Sequence, residues 1–261
     1  MILFAGPSLA GVHVSSMKGI DQRPPVRQGD VYLATLEQPS AIGIIDGYFE
    51  GVPSVWHKEI LWAMSQGIAV LGASSMGALR AAELDTFGMI GIGSIYRAYR
   101  DGQLEDDDEV ALVHGPQELG YHALSVAMVN VRATCDAAEQ AGVLSNAQAE
   151  HVVARAKTQF FKIRTWDSIL QDLSLQHVPR DVCQQLRGWI EKHEVDQKRE
   201  DARALLDCMQ RGEFVAPSAD FHFEKTDLWV HSTVAWRRDR RQEKESPKEG
   251  YRLLGNSDTF G

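Results

Sequence analysis

Two adjacent serines follow a short apolar run and precede a stretch of strong helix formers, a pattern that predicts a strand, a sharp turn and a helix. Ser74 and Ser75 occupy the turn. Hydroxyl groups there lie beside backbone N–H groups that no helical carbonyl can satisfy, and a serine nucleophile needs such donors to hold a developing oxyanion. The residues Ala73-x-Ser75-x-Gly77 approximate the small-x-Ser-x-Gly nucleophile elbow. Because serine is also a common helix N-cap, the pattern predicts either a nucleophile or a cap.

A lysine lies in a compact polar group at the start of a mostly apolar predicted helix over residues 53–66. His57 precedes Lys58, and Glu59 follows it. The positive end of the helix dipole and burial both disfavour the charged form of a lysine, so Lys58 could be a neutral amine that acts as a general base. The alternative is that Lys58 extends to solvent or pairs with a carboxylate.

Further polar groups follow two other predicted strands. Gly6 and Ser8 come after a strand at residues 1–5, and Asp46 comes after a strand at residues 41–45. Working residues of open α/β sheets commonly lie at the carboxyl ends of the strands. Asp46 is therefore either a functional carboxylate or part of an Asx turn or cap.

Composition excludes several classes of protein. The net charge of −9 argues against general nucleic-acid binding, which draws on excess lysine and arginine. No apolar run approaches the length of a membrane span, and the first residues lack the features of a signal peptide. Cys135, Cys183 and Cys208 are odd in number and have no metal-ligand spacing, which is typical of reduced thiols in a cytoplasmic protein.

An acidic run at residues 105–109 precedes a predicted strand at 110–113. Its carboxylates could hold a hard cation such as magnesium, form a solvated turn or dock a basic partner. The spacing fits no Ca²⁺ loop, and the glycine-rich connector at residues 87–93 does not match the dinucleotide-binding fingerprint. We therefore expect neither a resident metal nor a cofactor.

The chain changes character after about residue 117. The sequence predicts an α/β fold, with a mostly parallel sheet and flanking helices in the N-terminal half and a helical C-terminal half. We expect an α/β core at residues 1–120, a helical region packed on it at 121–235 and a charged, flexible tail at 236–261. Residues 31–35 are a further predicted strand, and the predicted helices of the second half cover residues 123–141, 145–161 and 182–209.

Six blocks of the N-terminal half together resemble the TfuA-like family closely. They are GPSL at residues 6–9, IIDGYF at 44–49, VWHKEIL at 55–61, GASSMGALRAAEL at 72–84, FGM at 87–89 and EDDDEVA at 105–111. The blocks occur in family order over about the first 120 residues, and their combination is specific.

The resemblance implies a partner of a YcaO enzyme in peptide-backbone thioamidation. YcaO enzymes use ATP to activate an amide oxygen, which sulfur then replaces. TfuA-like proteins are understood to hydrolyse the terminal thiocarboxylate of a ThiS-like sulfur carrier protein and to deliver the sulfide to the YcaO. They are described as having an α/β fold and a hydrolase-like serine–lysine pair. The expected partners are thus a YcaO enzyme, a ThiS-like carrier and a precursor peptide.

Carried onto this chain, the resemblance implies Lys58 as the lysine, because the helix and serine blocks contain no other. The serine is Ser75 or Ser74, and Ser75 is preferred because it lies at the centre of the elbow, which leaves Ser74 as a cap. Backbone N–H groups at Met76 or near Gly6 would hold the oxyanion, and Ser8, Asp46 and His57 would line the site. Two alternatives stay open: a non-catalytic scaffold that recruits the YcaO and its peptide, and a serine–lysine amidase or esterase acting on a small molecule.

Overall fold

The computed structural model describes residues 1–12, 14, 17–175, 178–216 and 220–245. The chain divides into two compact units, Met1–Phe223 and Glu224–Gly261. Within the described residues, no helix combines the length and apolar character needed to cross a membrane.

A five-stranded parallel sheet forms the centre of the first unit, so the predicted fold class is confirmed. Its strands lie in the spatial order β2-β1-β3-β4-β5. The carboxyl ends of β1, β3 and β4 are therefore neighbours at one edge. The strands are β1 Ile2–Phe4, β2 Asp21–Arg23, β3 Ala41–Ile44, β4 Ala69–Ala73 and β5 Ile90–Ile92.

Helices cover both faces of the sheet and form a separate layer in the second half of the unit. In chain order they are α1 Asp30–Thr35, α2 His57–Ser65, α3 Met76–Leu84, α4 Ser94–Arg100, α5 Met128–Gln140, α6 Asn146–Lys157, α7 Trp166–Leu175, α8 Arg180–His193 and α9 Gln197–Arg211. The predicted long helix at residues 182–209 is thus two helices with a break at residues 194–196.

Two strand predictions are wrong. Residues 31–35 belong to helix α1, which begins after Gly29 in a left-handed conformation (φ 94°). Residues 110–113 form no strand. They are a turn and an irregular segment that follow a 3₁₀ helix at Asp107–Glu109. Short apolar runs that are buried on all sides do not distinguish helix from strand by periodicity, and α1 is such a run.

The alternation of side chains along the strands creates two cores. One core lies between the sheet and the helices α1, α2 and α3. Its strand residues are Ile2, Phe4, Ile42, Ile44 and Val70. Leu3, Leu71 and their counterparts face Leu205 and the other apolar residues of α9. Helices α5 to α8 enclose a third core of their own. Helix α9 thus returns from the helical half to cover the open face of the sheet.

A buried carboxylate connects α1 to α2. Glu59 is fully buried, and its oxygens accept N–H bonds from Gly29 (2.8 Å), Trp56 (3.1 Å) and Tyr32 (3.3 Å). Burial raises the pKa of Glu59 to about 7, although these three N–H donors act in the opposite direction. The carboxylate therefore stabilises the N-terminal ends of α1 and α2, while its burial opposes the charged form.

We expect Glu59→Gln to change the pH dependence of stability. Because the folded pKa of about 7 exceeds the ordinary value of 4.5, the folded protein binds more protons than the unfolded chain between these values, and its stability falls as pH rises. The variant lacks this titration, so its free energy of unfolding relative to the native protein should increase from about pH 5 to about pH 7, as measured by urea unfolding. Glu150→Gln, at an exposed position, is the control; identical pH slopes in all three proteins would contradict the expectation.

The described part of the second unit contains helix α10, Asp227–Glu245. The rings of Trp229 and Trp236 pack edge to face with centroids 5.9 Å apart. Helix α10 includes residues 236–245 of the predicted flexible tail, whereas residues 246–261 lie outside the described residues. The flexibility of the tail stays a prediction.

Candidate active site

The polar residues expected at the carboxyl ends of β1, β3 and β4 form one hydrogen-bonded network. Asp46 is 2% exposed, and its Oδ2 accepts the N–H groups of Gly6 (2.9 Å) and Ser8 (3.0 Å). The Ser8 hydroxyl donates to Asp46 Oδ1 (2.7 Å), and the Ser74 hydroxyl donates to Ser8 Oγ (2.9 Å). The network fixes the Asp46 carboxylate in place at the edge of the sheet.

The turn between β4 and α3 has the strained geometry of an elbow. Ser74 has φ 68°, which a non-glycine residue rarely adopts. The chain can turn this tightly because Gly72 and Gly77 lack side chains: a Cβ at Gly72 would lie 2.1 Å from the carbonyl oxygen of Gly77. Strain of this kind is concentrated at functional sites.

Neither serine acts as the side-chain cap of α3. Ser75 is at the N-cap position, but its side chain accepts no capping hydrogen bond. Ser74, which was expected to be the cap, directs its hydroxyl to Ser8 instead. The hydroxyl of Ser75 instead contacts a lysine that lies 123 residues later in the chain.

Lys198, on the first turn of α9, is the amine beside Ser75. Its Nζ lies 3.1 Å from Ser75 Oγ and donates to the carbonyl oxygen of Val110 at 2.6 Å. Lys198 and Ser75 are each 2% exposed. Desolvation by burial lowers the pKa of Lys198, and the nearby charges of Asp46 and Asp196 partly oppose this effect. A buried amine with a lowered pKa can be neutral and accept a proton from the serine.

Several contacts hold the start of α9 in place. The side chain of Asp196 caps the helix by accepting the N–H of Arg199 at 3.1 Å. Asn130 on α5 accepts the backbone N–H of Lys198 (3.1 Å) and donates to Asp196 (3.0 Å). One turn further, Asp201 accepts the N–H of Ile95 at the start of α4 (2.8 Å). Lys198 is therefore positioned by α4 and α5 as well as by its own helix.

Lys58 and His57 do not reach this site, which corrects the predicted serine–lysine pairing. His57 Nε2 lies 2.7 Å from an oxygen of Glu83, near the end of α3. Because Glu83 follows Ser75 by two helical turns, it lies about 12 Å along the helix from the serine. Lys58 lies with Nζ 5.5 Å from the ring centroid of Phe223. Both residues are thus at the opposite end of α3 from Ser75.

Two cavities adjoin the Ser75–Lys198 pair. The cavity that contains Ser75 has a volume of about 210 Å³, and the second cavity has about 410 Å³; Lys198 lines both. The lining of the first includes Asp46, Gly47, Tyr48, His114, Phe161 and Lys162, and the lining of the second includes Ser8, Ser125, Asn130, Trp166, Glu194 and Arg199. Ser75 rather than Ser74 therefore faces a space that a substrate can occupy.

Of the two backbone N–H groups expected to bind the oxyanion, those of Gly6 and Met76, one is already engaged in a hydrogen bond within the protein. The N–H of Gly6 already donates to Asp46 and is not available to a substrate, which corrects that expectation. Met76 is the first residue of α3, and its side chain is buried in the core. Its backbone N–H directly follows Ser75, as expected for an oxyanion donor.

The acidic run forms ion pairs with cations of the helical half. The Asp108 carboxylate accepts hydrogen bonds from the fully buried Arg164 (2.8 Å) and from Lys157 (3.2 Å). Glu109 forms a pair with Arg132 in which both oxygens accept at 2.9 Å. In the described residues, no group of three or more histidine, cysteine or acidic side chains is arranged to hold a metal ion. The run thus joins the α/β and helical parts of the unit.

These features define a parallel α/β protein with a buried serine–lysine pair at the carboxyl edge of its sheet. Residues 46–165 match the family model of the TfuA-like protein, and the resemblance seen in the sequence is therefore confirmed over this segment. The matched segment contains Asp46 and both serines, whereas Lys198 lies beyond its end. No curated protein shows significant similarity to the chain. The family match fits a role in association with a YcaO-type enzyme.

Proposed function

We propose that this protein hydrolyses the terminal thiocarboxylate of a ThiS-like sulfur carrier protein and delivers the sulfide to a YcaO-type enzyme that thioamidates a precursor peptide. The observation that carries the proposal is the contact of 3.1 Å between Lys198 Nζ and Ser75 Oγ, two buried side chains that line an open cavity. The carrier and the YcaO enzyme come from the resemblance to TfuA-like proteins.

The reaction is an acyl transfer in two steps. The neutral amine of Lys198 takes the hydroxyl proton of Ser75 as Oγ adds to the thiocarboxylate carbon. The carbon–sulfur bond then breaks, the proton passes from Lys198 to sulfur, and hydrosulfide leaves behind a serine ester of the carrier. In the second step Lys198 takes a proton from a water as that water attacks the ester carbon. The bond between this carbon and Ser75 Oγ then breaks, Lys198 returns the proton to Oγ, and the carrier leaves as a carboxylate, its acid proton going to solvent.

Asp46 has a supporting role in this scheme. Its negative charge opposes the lowering of the Lys198 pKa, so it favours the ammonium that forms when the lysine accepts the proton. The hydrogen bonds from the Ser8 hydroxyl and the Gly6 N–H hold the Asp46 carboxylate in one orientation, so it does not have to be ordered during the reaction.

The test is sulfide release from a purified thiocarboxylated ThiS-like carrier, with the terminal group of the carrier followed by mass spectrometry. We expect the native protein to convert thiocarboxylate to carboxylate without a YcaO enzyme present. Lys58→Ala should react at the native rate, because Lys58 lies at the opposite end of α3 from Ser75. No release from the native protein, even with a YcaO added, would favour the scaffold. Turnover of small esters or amides but not of the carrier would favour the amidase or esterase.

A further inference from the structure

The backbone N–H groups of Gly47 and Met76, both close to Ser75, have no hydrogen-bond acceptor among the described residues. Backbone donors in folded proteins are nearly always paired, and those at helix starts are commonly completed by a ligand. We infer that these two N–H groups form the oxyanion hole of the Ser75 site, an inference that rests on the proposed hydrolysis.

The first turn of α3 lies directly against the end of β3. The N–H of Gly77 donates to the carbonyl oxygen of Ile45 at 3.1 Å. A Cβ at Gly77 would lie 1.8 Å from the carbonyl oxygen of Ile44, and one at Gly47 would lie 2.8 Å from Met76 Cβ. Both glycines therefore permit a contact that brings the backbone of residue 47 next to that of residues 75–77.

The strand pairing on the other side sets the direction of the Gly47 N–H. Val26 forms a parallel bridge to Gly47, in which the N–H of Val26 donates to Asp46 O (2.8 Å) and the N–H of Tyr48 donates to Val26 O (3.2 Å). Since a parallel bridge uses the residues on either side of its central one, the N–H of Gly47 itself points away from Val26. That direction leads toward α3 and the cavity that Gly47 and Ser75 both line.

The two donors come from different elements, which suits the chemistry. When Oγ of Ser75 adds to the carbonyl carbon, the electron pair of the C=O bond moves to oxygen, and two N–H groups on separate segments can hold this oxygen from two sides. The Met76 N–H also lies at the positive end of the α3 dipole. The nearby N–H groups of Gly6 and Ser8 are engaged by Asp46, so they hold the supporting carboxylate instead.

The direct test is a crystal structure of the native protein after reaction with a fluorophosphonate. In this reaction Ser75 Oγ displaces fluoride from phosphorus, Lys198 takes the hydroxyl proton, and the phosphoryl oxygen stands where the oxyanion would be. We expect that oxygen within about 2.7–3.1 Å of both Gly47 N and Met76 N. An adduct on Ser75 whose oxygen contacts neither N–H would overturn the inference while leaving the proposed hydrolysis intact. The absence of an adduct on Ser75 would overturn the inference together with the nucleophile.

A pair of glycine variants gives a solution measurement. Gly47→Ala inserts a Cβ against Met76 Cβ, so the strand end and α3 must separate, and phosphonylation should slow by about 10²-fold or more. Gly115→Ala is the matched control, because its nearest neighbour would be Leu119 Cβ at an ordinary 3.7 Å, and it should react at the native rate. Equal rates for Gly47→Ala and the native protein would contradict the inference. If phosphonylation follows the expected pattern but no carrier is hydrolysed, the oxyanion hole stands and the proposed substrate fails.

Discussion

A Lys198→Met variant is expected to lose sulfide release by about 10³-fold and yet to have a higher free energy of unfolding than the native protein at neutral pH. The rate falls because, in the proposed mechanism, the Lys198 amine, 3.1 Å from Ser75 Oγ, takes the hydroxyl proton of Ser75. The stability rises because the fully desolvated amine of Lys198 is replaced by an apolar side chain of similar length.

The sign of the pH effect follows from the direction of the Lys198 pKa. The folded pKa lies below the ordinary value of 10.5, so between the two values the unfolded chain binds a proton that the folded protein lacks. Stability in the native protein therefore rises with pH across this window, and Lys198→Met removes that rise. Urea unfolding at several pH values measures the effect.

The controls separate chemistry from packing. Ser75→Ala should be as inactive as Lys198→Met, and the double variant should be no worse than either, because the two residues act as a unit. Lys58→Met repeats the same substitution at a partly exposed lysine and should leave activity at the native level. An active Lys198→Met protein would remove Lys198 from the mechanism.

The second large effect concerns the ion pairs that join the two halves of the first unit. Asp108→Ala should lower the free energy of unfolding by about 3–5 kcal/mol, because it leaves the guanidinium of Arg164 buried without a counter-charge. Arg164 has a fully buried side chain that otherwise donates to the carbonyl oxygens of Ala156 (3.1 Å) and Gln159 (2.9 Å). Urea unfolding measures the loss.

A neighbouring aspartate provides the control for this prediction. Asp106 is 67% exposed and contacts Lys157 at 3.1 Å, so Asp106→Ala should cost less than about 1 kcal/mol. Adding Arg164→Met to Asp108→Ala should restore much of the stability, since no unpaired charge then remains buried. Similar losses in Asp106→Ala and Asp108→Ala would show that burial of Arg164 does not determine the effect.

The sequence predicted the position of Ser75 and Asp46 at one edge of the sheet for a physical reason. Ser75 and Asp46 follow strands with strongly apolar sequences, and parallel strands bring their carboxyl ends together whatever follows later in the chain. The edge strand β2 was missed because Asp21 and Gln22 are exposed and polar, so periodicity gives no signal there.

The lysine half was missed because it depends on tertiary packing. Lys198 lies 123 residues after Ser75 and outside the blocks that resemble the family. A signal was present: Lys198 is four residues before Ala202 and eight before Leu206, which places a charged residue on the apolar face of an amphipathic helix. Together with the N-cap Asp196, that position distinguishes Lys198 from a solvated lysine.

The return of α9 across the sheet also sets the order in which the site is completed during synthesis. The serine turn is made early, but its amine arrives only after the helices α5 to α8 have been added and α9 has docked on β3 and β4. A nascent chain therefore holds Ser75 without its amine partner while the next 123 residues, up to Lys198, are added. Under the mechanism that we propose, the serine becomes reactive only once α9 has docked, so a chain that ends before Lys198 would leave the sulfur of a charged carrier untouched.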